Sequence, residues 1–182
     1  WAAPGARGAA PVKSRGWSRR QERNPRLRST PARLGYRPRE LSVTKADDGT
    51  PRFNCLWKKR NGEAYYTFIN LNDQQWMQRW NDLVVRGKLR VEDYCGYEVN
   101  GVRLNAAIYV SDPAPAFAEG HYMSVVEMQN TFNTYFAQGW HLTDLTVTEL
   151  STGLSYGGIW RPLPSSAPAY INMTPTDYQA RL

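Results

Sequence analysis

One passage of this sequence is written three times, and that fixes more about its fold than any bulk property. Gly35, Gly87 and Gly139 are spaced by 52 and 52 residues. Each is followed by a ring or a long side chain (Tyr36, Lys88, Trp140) and then a run of β-formers. Turn signals come next: Asp48-Gly49, Asn100-Gly101 and Thr152-Gly153. A second run then closes on Trp57, Tyr109 and Trp160, which lie 22, 22 and 21 residues after the glycines. Two β-forming runs around Asn-Gly predict a hairpin with a tight turn, because both central residues of a type I′ turn need φ > 0. The single deletion falls in or just after the third turn, where a change of loop length costs least.

The stretch before each glycine repeats as well. "LNDQQWMQRWNDLVVRG" aligns with "MSVVEMQNTFNTYFAQG". Trp76, Trp80, Leu83 and Val84 match Met128, Phe132, Tyr135 and Phe136, a single stripe at helical spacing. Asn72 with Gln75, and Ser124 with Glu127, have the form of a capping box. Gly87 and Gly139 suit a left-handed helix end. "MTPTDYQARL" begins another such helix, with Thr174 at the cap and Tyr178 and Leu182 on the stripe. The equivalent region near residues 21–34 contains Pro25 and Pro31 and lacks the stripe. Interior proline costs about 3 kcal/mol, so a broken helix is expected there.

Between each closing aromatic and the next helix lie "AYYTFINL", "AFAEGHYM" and "AYINM", read as a third, shorter strand. The expected class is α+β: three tandem units of hairpin, short third strand and amphipathic helix, in one curved or stacked array. The units span about 35–86, 87–138 and 139–182, after a basic Arg/Pro-rich segment at 1–34. A lone unit cannot cover its aromatic face, so neighbours must stack. Consecutive hairpins are expected to pair through strand two of one unit and strand one of the next.

Charge divides the chain at the same boundary. Residues 1–34 hold nine of the 23 basic residues and one of the 16 acidic ones, a net +8, which leaves the other 148 residues at −1. The folded part is thus nearly neutral, which argues against nucleic acid as its partner. The leader reads as a disordered segment or as a polyanion-binding arm built on Arg19, Arg20, Arg23, Arg26 and Arg28. It has no apolar core of a signal peptide. No apolar run approaches the ~20 residues of a membrane span.

Several motifs invite a catalytic reading. "SVTK", Ser42 to Lys45, fits S-x-x-K, but that pair needs a helix and here lies in a predicted strand. "GLSYG", Gly153 to Gly157, fits G-x-S-x-G, yet its Ser155 runs from a turn into a strand and not into a helix. No catalytic residue is therefore assigned. Cys55 alternates with Phe53 and Trp57 and is expected to face a packed layer. Cys95 takes the place of Val43 in the next unit, so a Cys55–Cys95 disulfide is a candidate. His121 and His141 complete no metal set, and His121 reads as a solvated loop histidine. No metal and no cofactor are expected. Tyr36, Tyr65, Tyr66, Tyr122, Trp140 and Tyr170 are candidates for an aromatic recognition surface.

The helix ending in "RG" or "QG", the passage "GYRPRELSVTKADDGTPRFNCLW" and the "YQARL" signature resemble the bacterial tandem repeat domain family. Units of this kind also build the N-terminal domain of polyglycine hydrolases. The resemblance covers residues 35–182. It implies an extracellular or envelope setting and a neighbouring serine hydrolase domain of β-lactamase type, for which this chain leaves no room. The expected function is a non-catalytic module that binds or spaces, docking a protein or polymer substrate for a partner hydrolase. The alternative is a serine hydrolase fragment active through Ser42 and Lys45. Self-association through open array ends is a further expectation.

Overall fold

The computed structural model describes residues 30–111, 116–162 and 174–180. Eight strands are present among them: β1 Tyr36–Lys45, β2 Pro51–Lys59, β3 Tyr65–Leu71, β4 Arg90–Val99, β5 Val102–Val110, β6 Ala118–Met123, β7 Trp140–Leu150 and β8 Gly153–Pro162. The helices are α1 Thr30–Arg33, α2 Asp73–Arg79 with a π-helical continuation Trp80–Arg86, α3 Val125–Ala137 and α4 Pro175–Gln179. With 54% strand and 25% helix, the described residues are mainly antiparallel β, a correction to the α+β expectation. The hairpin strands run nine to eleven residues, while α1 and α4 amount to about one turn each.

The three predicted hairpins all form, as β1–β2, β4–β5 and β7–β8. Asn100 and Gly101 take φ of 51° and 76°, as a type I′ turn requires. In the last hairpin Leu150 pairs with Gly153, so the two loop residues are Ser151 and Thr152. Each first strand carries a bulge at the same place: between Pro38 and Glu40, Val91 and Asp93, and Leu142 and Asp144. A bulge adds one residue to one side of a ladder and tightens the local twist.

The third strands depart from expectation in their partner. β3 pairs with β5, and β6 pairs with β8, so each joins the following hairpin. The sheets are ordered β1-β2, β3-β5-β4 and β6-β8-β7. At the end of the second sheet the Ser111 N–H donates to Ala64 O, and the Ala64 N–H donates to the Ser111 hydroxyl. The described residues thus build two three-stranded sheets and one two-stranded sheet.

Both capping boxes form, with Asn72 accepting from the Gln75 N–H and Ser124 from the Glu127 N–H. From these caps Trp76 and Met128 reach full burial. Trp76 meets Tyr94 and Tyr109 at ring distances of 5.1 and 6.1 Å. Met128 packs with Tyr156 and Trp160. The stripe weakens toward the helix ends, where Phe136 is exposed. Gly87 does not adopt the expected left-handed geometry: its φ is −80° and Lys88 takes the positive value instead. The π-helical turn is the reason. Gly87 donates to Asp82 O five residues back, so the helix absorbs one more residue before it stops. A side chain at Gly87 would meet Leu83 O at 2.7 Å.

That extra residue also shifts the strand register. Counted from the closing aromatics, Cys95 aligns with Ser42 and Thr146, not with Val43.

Candidate functional site

β1, β4 and β7 are each paired on one edge only. Open edges of this kind expose a row of backbone donors and acceptors. Here the rows meet, and side chains cover them in place of a backbone ladder. Thr146 and Thr148 on β7 donate their hydroxyls to Tyr94 O (2.6 Å) and Gly96 O (2.9 Å) on β4. The Leu41 N–H on β1 donates to the Asp93 carboxylate on β4. These partners are 52 residues apart in all three cases. Ser151 donates to Glu98 through its N–H and its hydroxyl, which extends the same contact to the turns.

The expectation that strand two of one unit lies beside strand one of the next is therefore corrected. First strands stack on first strands, because threonine and serine hydroxyls and a bulge carboxylate satisfy the edges at that spacing.

The stack leaves a groove of about 540 Å³. One wall is β1 from Glu40 to Val43, the other is β7 from Asp144 to Val147, and Asp93, Cys95 and Gly96 on β4 contribute the floor. Leu145 and Val147 present exposed apolar side chains. The bulges deliver acidic groups to one end of the groove: Glu40, Asp93 and Asp144 hold the position after each bulge. Asp93 and Asp144 share a hydrogen bond between their carboxyls, which requires one proton. Burial and the second carboxyl push Asp93 up to about 8, and burial raises Asp144 also.

A second cluster ties β1 to β4. Arg37 is fully buried. Its guanidinium donates to Glu63 at 2.6 Å, to Glu92 at 3.0 Å and to Pro38 O at 3.0 Å. Arg90 also pairs with Glu92, and Lys58 approaches it at 3.5 Å. Burial works against Glu92, but Arg90 and Arg37 outweigh it and hold its carboxyl below the usual range. The Arg37 hydrogen bond holds Glu63 down to about 2.

The sequence-predicted site residues do not share one surface. Tyr36 is exposed at the start of β1. Tyr66 packs on the central core, and Tyr65 is half-buried beside it on β3. Tyr122 donates to Leu104 O at 2.5 Å beneath the Arg103 guanidinium, 4.8 Å from its ring. Trp140 packs on Tyr135 at 5.6 Å. Tyr170 and the arginines of the leader lie outside the described residues. Both thiols are free. Burial, first of all, pushes Cys55 up to about 11 and Cys95 up to about 12, so both are held protonated.

Ser42 and Lys45 lie on β1, an extended strand where positions three apart face opposite sides. Ser155 is buried within β8 and donates weakly to Met123 O at 3.4 Å. His121 corrects its reading as a solvated loop residue. It sits half-buried on β6 against Trp76 at 5.4 Å, with Nδ1 3.1 Å from Glu119. Burial opposes its charge, but the Glu119 hydrogen bond prevails and raises its pKa. Among the described residues, no group of three or more His, Cys, Asp or Glu side chains could hold a metal. None of their helices is long and apolar enough to cross a membrane.

Residues 32–60 and 114–162 match the family described as polyglycine hydrolase-like, structural repeat. Together the two segments, 29 and 49 residues long, make up 78 of the 182 residues. The matched segments contain the first and third hairpins, and the family is the one that the sequence resembles. No curated protein matches the chain.

The acidic column Glu40, Asp93, Asp144 and the polar column Arg37, Arg90, His141 are absent from the motif-based reading. A signal exists for both: charged or polar residues recur near the repeat spacing inside the three first strands. Serine and cysteine motifs drew attention instead.

Proposed function

We propose that this chain is a non-catalytic repeat module that binds or spaces. In this reading the three hairpins are successive units of about 52 residues, with the third strand and helix of each covering the next. The observation that carries it is the set of contacts at a constant offset: Leu41 to Asp93, Thr146 to Tyr94 and Thr148 to Gly96, each 52 residues apart. The two joints differ in chemistry but share the offset, and an array whose neighbours engage at a constant offset presents a long, regular surface. The groove between β1 and β7 is the part of that surface fit to take an extended protein or polymer chain.

The family resemblance supports an accessory role beside a secreted or envelope serine hydrolase. Residues 1–34 act as a separate basic leader in this reading. The extended backbone at Ser42 and the strand position of Ser155 favour the module over an intrinsically active fragment. A fluorophosphonate serine probe tests that choice on the whole chain. The expected outcome is no covalent labelling. Labelling that disappears in Ser42→Ala or Ser155→Ala would overturn the proposal.

A further inference from the structure

The first hairpin lacks what the other two have. Leu56 on β2 occupies the position of Ile108 on β5 and Ile159 on β8, one residue before the closing aromatic. Ile108 and Ile159 are 0% exposed, yet Leu56 is 62% exposed. Trp57 is half-buried where Tyr109 and Trp160 are fully buried. Two causes are visible. β5 and β8 each receive a third strand and the helix that follows it, which cover Tyr109 and Trp160, whereas among the described residues β2 receives neither. Ile159 packs instead with Trp76, Val91 and Tyr94 of the preceding hairpin and its helix, and among the described residues Leu56 has no preceding hairpin to meet.

We infer that residues 168–182 of a second copy of this chain fill that place, adding a strand to the β2 edge and a helix over Trp57. The sequence of that segment carries the required register. Thr174 corresponds to the caps Asn72 and Ser124. Four residues on, Tyr178 corresponds to the anchors Trp76 and Met128, and Leu182 corresponds to Trp80 and Phe132. Two residues before each cap the backbone turns left-handed, with φ of 59° at Asn70 and 51° at Tyr122. Asn172 stands at that position, and asparagine is among the residues that tolerate it.

The leader is a poorer occupant. Counting back 15 residues from Gly35, the span from cap to glycine in the other units, its anchor positions fall on Asn24 and Arg28, with Pro31 further on. The lateral contact also has both halves available. Ser42 and Thr44 on β1 hold the columns of Thr146 and Thr148, whose hydroxyls bind the neighbouring strand edge. The open edge of β7 is of the kind they bind.

The contact is head-to-tail, one surface meeting a different one, so it generates chains or rings of copies. It rests on the reading of the hairpins as equivalent units, but its test is independent of the serine probe. Light scattering after size exclusion should show mass rising with concentration for the full chain. Leu56→Arg blocks the receiving end and Tyr178→Asp the donating end, so each alone should be monomeric, with association weakened at least about tenfold. Mixed, they should form a dimer and nothing larger, since each retains the end the other lacks. Val126→Arg, on an exposed part of α3 away from both ends, should assemble as the parent does. Circular dichroism matching the parent checks that the variants fold. A peptide of residues 166–182 added in excess should cap the parent assemblies as a second measurement. A parent chain that stays monomeric at every concentration overturns the inference, and so does a mixture that stays monomeric while the parent assembles.

Discussion

The central sheet and the first sheet are built from similar hairpins and end in different states. In the central sheet β4 and β5 bury a continuous block from Ala106 to Val110. It has a third strand on one edge, helix α2 over one face and the neighbouring first strands on the other side. In the first sheet the same alternation leaves Phe53, Cys55 and Trp57 half-buried and Leu56 in water. A hairpin here specifies its own backbone pairing, but its burial is specified by what precedes and follows it. Burial depends on neighbours, and among the described residues the first hairpin has fewer of them.

The largest test of that contrast is removal of matched side chains. Ile108→Ala should cost about 2–4 kcal/mol, because a fully buried aliphatic leaves a cavity, while Leu56→Ala should cost under about 0.5 kcal/mol in the isolated monomer. Urea unfolding of the two variants in dilute solution measures both. Equal losses would erase the distinction between the sheets.

Next in size is the joint between them. Arg37→Ala strips Glu92 of a buried partner on β1 and should cost about 2–4 kcal/mol. The pH dependence has a fixed sign. Glu63 and Glu92 have folded pKa values below the ordinary range, so their contribution is present near neutral pH and lost as pH falls through about 4 toward about 2. Acid titration of the unfolding midpoint should show this loss in the parent and a smaller one in Arg37→Ala.

Asp93 has the opposite sign. Its folded pKa of about 8 lies above its ordinary value of 3.8. Between those values the folded state holds a proton that the unfolded chain has released, so stability falls as pH rises from about 4 to about 8. Asp93→Asn keeps an acceptor for the Leu41 N–H and a donor for Asp144. It should gain about 1–2 kcal/mol at pH 8 and flatten that slope. A variant that is less stable than the parent at pH 8 would count against the shared proton.

The smallest expected effect is local to the helix that covers the central sheet. Asn72→Ala removes the cap acceptor for Gln75 and should cost about 1 kcal/mol, read by thermal unfolding. A fall of that size in the central sheet, with the first hairpin unaffected by hydrogen exchange, would localise the helix to its partner.

The residues that made the strands and helices legible are those with local rules. Asn100-Gly101 forces its turn, Asn72 and Ser124 with their glutamine and glutamate write helix starts, and Trp76 and Met128 sit at the same distance from those starts. Such signals act over a few residues, so a linear reading captures them. The serine motifs also resolved correctly into strands, because alternation and turn chemistry outweigh a four-residue match.

What the chain order alone left open was which surface each element would meet. That β3 joins β5 and not β2, that first strands stack on first strands, and that two bulges bring Asp93 and Asp144 to one proton all depend on partners far along the chain, 34 residues for Leu71 with Asn105 and 52 for Thr146 with Tyr94. The π-helical turn before Gly87 moved the left-handed residue to Lys88 and shifted Cys95 by one strand position, which no local propensity encodes. The sequence determined the three hairpins and the helix starts through short-range turns, caps and periodicity. Tertiary contact decided their order in the sheets, because edge satisfaction and burial are settled only when distant surfaces come together.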